Sequence, residues 1–129
     1  MWLNKNGRSN IMVVNVNENS TRDIEITFSD YEGNPVIPES ALYSLIDKDS
    51  LAVIVEEKDI GDLDSTITIT IGANENTILN NDNDYEDKVL MVRWFYSGGR
   101  EENTNYTYRV LNLYGVNKEG DLIVLTVFG

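Results

Sequence analysis

Four carboxylates crowd into "NDNDYED" (residues 81–87): Asp82, Asp84, Glu86 and Asp87. Acids at alternate positions supply hard oxygen ligands in the manner of a calcium loop. Counting from Asp82, however, the sixth position holds Asp87 where an EF-hand needs glycine, and no glutamate falls at the twelfth. The segment therefore reads as a solvated loop, and no bound metal is expected. A second acidic run, "EEKDIGDLD" (56–64), offers Glu56, Glu57, Asp59, Asp62 and Asp64. Two carboxylates flanking a cleft can hydrolyse a glycoside. In a chain with 22 acidic residues, though, such pairs arise by chance.

Other chemistry is closed off by composition. The sequence holds no histidine and no cysteine. Ser-His and Cys-His nucleophile pairs, thiolate metal sites and disulfides are all excluded. "YSGGREE" (96–102) lacks the lysine and the spacing of a phosphate-binding loop. Neither a catalytic residue nor a cofactor is expected, and the chain reads as not an enzyme.

With 22 acidic against 10 basic residues, the net charge is −12. Neutralising nucleic-acid phosphates takes lysine and arginine that this surface lacks, and anionic membranes repel it, so neither is an expected partner. No apolar run reaches the roughly 20 residues that span a bilayer. "MWLNKNGRSN" is polar and lacks the apolar middle of a secretion signal, so the chain is expected to be soluble and unprocessed. This opening decapeptide carries Lys5 and Arg8 and no acid, so every acidic residue falls after it. A basic arm ahead of an acidic body can dock on an acidic neighbour. Trp2 fits that role, because an indole with no core of its own either folds back or anchors in a partner.

The elements behind these residues repeat with a period of two. "TRDIEITFSD" (21–30) puts Ile24, Ile26 and Phe28 on one face; "STITITIG" (65–72) puts Ile67, Ile69 and Ile71 on one face and threonines on the other. β-branched residues at successive positions favour strand over helix. Further strands are expected at 11–17, 41–49, 50–60, 88–97, 103–113 and 121–128, and residues 73–87 have room for one helical turn. Lys48-Asp49 reads as a hairpin tip and Ser97-Gly98-Gly99 as a turn. In "YEGNPVIPES" Gly33 supplies positive φ and Pro35 cannot donate to a ladder, which makes a wide turn. Trp94, Phe95 and Tyr96 sit in the strand expected to be central, where core packing explains them better than ligand stacking. "DLIVLTVFG" at the C-terminus is apolar on both faces, so it belongs in a sheet interior or against a neighbouring subunit. Leu122 and Val124 in this segment join Trp2, Lys5 and Arg8 as candidate partner-binding residues.

About eight to nine short strands with turn signals between them predict an all-β antiparallel sandwich or small barrel, and Tyr85 points to a sandwich of the immunoglobulin-like kind. Residues 1–10 form an arm and 11–129 a single domain. In such sandwiches a tyrosine at the start of the sixth strand packs at a corner and bonds back to the backbone. Tyr85, with Leu79 beneath it, is the candidate. Gly33, Pro35, Leu79, Tyr85 and Trp94 are the expected structural residues.

Four segments, "DIEITF" (23–28), "DYEGNPVIP" (30–38), "YSLID" (43–47) and "YRVLNL" (108–113), give residues 13–113 a resemblance. The chain resembles small immunoglobulin-like proteins encoded among the structural genes of tailed bacteriophages. That resemblance implies a virion location and a structural role in capsid decoration, neck or tail. Its implied partners are other virion proteins and further copies of the chain, and it carries over no catalytic residues. A carbohydrate- or host-binding module of a tail or fibre is the alternative.

Overall fold

The computed structural model describes residues 14–113 and 123–128. Within them the chain forms eight strands and no helix. These are β1 (Asn15–Asn17), β2 (Arg22–Ser29), β3 (Ser40–Asp47), β4 (Val53–Asp59), β5 (Thr66–Ile71), β6 (Tyr85–Tyr96), β7 (Arg100–Leu111) and β8 (Ile123–Phe128). Alternation explains most of them. In β5 the isoleucines are buried and the threonines exposed, without exception. β2 hides Ile24, Ile26 and Phe28 completely.

Five strands make one sheet in the order β1-β7-β6-β3-β4, and three make another in the order β5-β2-β8. Isoleucines of the smaller sheet share one buried core with Leu45, Leu90, Val92, Trp94, Tyr108 and Val110 of the larger. Phe28 and Trp94, one from each sheet, place their ring centroids 5.0 Å apart. Tyr96 stacks on the same indole, centroids 4.9 Å apart. The chain is thus all-β with two facing sheets, an arrangement compatible with a β-sandwich.

Two pairings are parallel rather than antiparallel: β1 with β7 and β8 with β2. Parallel neighbours need a crossover connection, and both pairs join strands distant in sequence. The terminal strand therefore corrects the expectation for 121–128. It is not interior: among the described residues it lies at a sheet edge and pairs with β2 of its own chain, Ile24 opposite Ile123 through Ser29 opposite Phe128. No helix forms in 73–87, but a single turn of helical type stands at its start, where the N–H groups of Glu75 and Asn76 both donate to Gly72 C=O at 3.0 and 3.2 Å. β6 starts at Tyr85 instead of 88, and β7 runs from Arg100 to Leu111 instead of 103–113.

The turn after β2 behaves as its residue types dictate. Asp30 Oδ1 accepts the backbone N–H groups of Glu32 and Asn34, both at 2.9 Å. Gly33 takes φ +90°, a region that side chains disfavour. Pro35 makes an isolated bridge to Ser29, and Val36 N–H completes the link by donating to Phe28 C=O at 2.9 Å.

Candidate functional site

Between the end of β3 and the start of β6 lies a cluster whose centre is a lysine. On β6 the even-numbered residues point inward, and Lys88 shares that parity with Leu90, Val92 and Trp94. It is fully buried, directly opposite Asp47 in register. Its Nζ donates to Asp47 Oδ1 at 3.1 Å and to Glu86 Oε1 at 3.0 Å. A buried ammonium without such partners would carry a large desolvation penalty.

Each carboxylate also ties down a loop. Asp47 Oδ2 accepts the Ser50 N–H at 2.9 Å and the Ser50 hydroxyl at 2.8 Å. Glu86 accepts the N–H groups of Leu79 (2.7 Å) and Asn80 (2.9 Å) and the Asn83 side-chain amide (2.9 Å). Burial pushes both carboxyls up, but the hydrogen bonds from Ser50 to Asp47, and from Leu79, Asn83 and Asn80 to Glu86, together with Lys88, outweigh it. Both therefore end below their ordinary values.

The two loops held in this way enclose an open cleft of about 560 Å³, lined by Asp47, Asp49, Ala52, Leu79, Asn80 and Glu86 among others. The hairpin side is closed by Leu51 N–H donating to Asp47 C=O and Asp47 N–H donating to Ala52 C=O, both at 2.9 Å. Leu51 has φ +64°, in the left-handed region, and its side chain is 67 % exposed. Among the described residues the other non-glycine positions at positive φ are Asn19, Asp62 and Ser97, short polar types that tolerate it better. Leu79 across the cleft is half exposed, and Val53 beside the hairpin is also exposed. Asp49, Asp82 and Asp84 are exposed on the same two loops, against a single exposed cation, Lys48.

The sequence-predicted residues scatter. Trp2, Lys5, Arg8 and Leu122 lie outside the described residues, and for Val124 only the backbone register, opposite Glu25, is described. Gly33 and Pro35 are in the turn at the opposite end of the sheet from the cleft. Trp94 is fully buried in the core, so it offers no platform to a sugar. Leu79 lines the cleft and is half exposed. The corner role expected of Tyr85 fails on parity: it is an outward position of β6, 46 % exposed, with the Arg109 guanidinium 3.7 Å over its ring. Arg109 is itself held by Asp87 at 2.8 Å.

The buried, hydrogen-bonded tyrosine is instead Tyr108 on β7, whose hydroxyl donates to Asn76 Oδ1 at 2.6 Å. Burial, followed by Glu75 and Tyr106, pushes its phenol far up. Asn76 Nδ2 in turn donates to Ser20 C=O at 2.9 Å, linking two loops through one buried amide.

The acidic runs separate likewise. Glu57 pairs with the Arg93 guanidinium at 2.6 Å on the outer face. Among the described residues no three acids converge in a metal-binding group. Sequence reasoning missed Lys88, whose signal was an inward-parity charge in a strand read as an apolar run.

No family model matches the chain, and no match is found among curated proteins or solved structures.

Proposed function

We propose that this chain is a non-enzymatic structural protein of a tailed-bacteriophage particle, an immunoglobulin-like sandwich held in place by contacts with neighbouring subunits. Support for the immunoglobulin-like reading comes from strand order. β1 lies parallel to β7 at one edge, β7-β6-β3-β4 continue the sheet, and β2 pairs with β5 in the opposing layer. The virion assignment rests on the resemblance carried by residues 13–113.

One observation carries the contact role: Leu51, a bulky apolar side chain held in a strained backbone conformation and presented to solvent. Neither the strain nor the exposure benefits an isolated domain, and such outliers cluster where a partner or ligand is gripped. At the cleft Asp47 and Glu86 are committed to hydrogen bonds, Asp49 is exposed, and Ser50, Asn80, Asn83, Ala52 and Leu79 complete the lining. Such a surface suits adhesion to protein better than turnover of a substrate.

The experiment is incorporation. Full-length chain is expected in purified particles, and a chain lacking residues 1–10 is expected to stay folded but be left out. Normal incorporation of the truncated chain overturns the role given to the arm, and absence of the full-length chain from particles overturns the reading altogether.

A further inference from the structure

We infer that the cleft between residues 47–53 and 79–86 receives the amino-terminal segment of a second copy of this chain. This rests on the reading above, and it names the acceptor surface and its occupant. Three observations point to that occupant.

The first is chemical complementarity. The cleft offers apolar contact from Ala52 and Leu79, with Leu51 exposed beside it. Its rim is acidic, with Asp49 on the hairpin and Asp82 and Asp84 on the facing loop. The segment "MWLNKNGRSN" offers the converse: two large apolar residues, Trp2 and Leu3, then Lys5 and Arg8 with no acid between them. It carries a pair of cations and no anion in a chain whose net charge is −12. The indole matches the apolar contact that Leu79 and Ala52 offer, and the two cations match the acidic rim. A buried aromatic anchor surrounded by a polar rim is the usual anatomy of a strong contact.

The second is direction. β1 runs parallel to β7, with Asn15 opposite Arg109 and Asn17 opposite Leu111, and Leu111 stands opposite Tyr85. The chain thus enters β1 heading toward the end of the sheet that carries the cleft. Val14, the first described residue, thus lies at the end of β1 away from the cleft, an entry that suits a head-to-tail contact with a neighbour's cleft. Such head-to-tail contacts close into rings or run on as helical tubes.

The third is strain. A glycine at position 51 would make the same hairpin turn without steric strain. A leucine there is explained by what it touches in the assembly.

The test uses the full-length chain and a fluorescently labelled peptide of residues 1–13. Saturable binding is expected. It should weaken about tenfold with Leu79→Asp, Leu51→Gly or Asp49→Lys, fall as salt rises, and be unaffected by Tyr31→Asp in the turn at the far end. Leu51→Gly is the safeguard against misfolding, because it removes strain and so cannot act by unfolding the cleft.

The chain has no native cysteine. Trp2→Cys chains mixed with Ala52→Cys chains should therefore form a disulfide-linked heterodimer on mild oxidation, whereas mixtures with Tyr31→Cys should not. Equal peptide binding by all the variants, or equal crosslinking to positions 52 and 31, overturns the inference. If that happens while deletion of residues 1–10 still blocks particle incorporation, the proposed function stands and only the cleft loses its occupant.

Discussion

Lys88 on β6 and Asp47 on β3 face each other in register, their charged atoms 3.1 Å apart and both side chains almost wholly withdrawn from water. Glu86 completes the group. Through these three residues the β3–β4 hairpin and the 79–84 loop are fixed to the same strand, and the cleft between them takes its shape.

Removing the lysine should therefore be costly. Lys88→Met leaves two carboxylates buried together without their cation and is expected to lower stability by about 3 kcal/mol. Urea unfolding at neutral pH measures it. Adding Glu86→Gln to that variant should recover part of the loss, because the amide oxygen still accepts the loop N–H groups while one buried negative charge disappears.

Acid should act on the same cluster, and the sign is fixed by the direction of the shifts. Asp47 and Glu86 both ionise more readily in the folded chain than at their ordinary values of 3.8 and 4.5. Their contribution is complete above those values and lost as pH falls through 4.5 and 3.8 toward the lower folded ones. Stability measured against pH should decline across that window, and the decline should be shallower in the Lys88→Met, Glu86→Gln double variant.

Leu51→Gly should separate stability from contact. Left-handed backbone costs a leucine about 1–2 kcal/mol, whereas added glycine freedom in the unfolded chain takes back about 0.5–1. The free domain should gain about 0.5–1 kcal/mol in urea unfolding, the difference between those two terms. The same substitution should weaken peptide binding.

Trp94 should prove to be a core residue and nothing more. Trp94→Ala is expected to cost about 3–5 kcal/mol through the cavity it leaves beside Phe28 and Tyr96. Trp94→Phe should cost far less, because it keeps the ring contacts and removes an indole N–H that has no partner among the described residues. Thermal denaturation of the two variants gives the comparison.

What the sequence made legible follows from range. The Thr-Ile alternation of β5 specifies a half-buried strand by itself, and the Gly33–Pro35 turn is dictated by backbone chemistry within a few residues. Parity was harder. "DKVLMV" reads as an apolar run, and nothing local reveals that Lys88 and Glu86 belong to the inward set while Tyr85 belongs to the outward one. Once that set is known, the tyrosine is displaced from its expected corner by a single position.

Partner choice was harder still. β8 is an obvious strand, but its parallel seat beside β2 depends on which edge of the sheet is left free. Leu51 gave no cue, since the hairpin "DKDSLA" lacks the glycine or asparagine that normally marks a left-handed position.

The account depends most on an acidic, leucine-bearing cleft being the surface by which copies hold one another. Particle incorporation of the Asp49→Lys chain tests this directly, because Asp49 is exposed and its hydrogen-bonding neighbours are untouched. The predicted result is a chain that melts like the wild type yet is depleted from particles. An Asp49→Lys chain that enters particles as readily as the wild type, together with one lacking residues 1–10 that does the same, would contradict it.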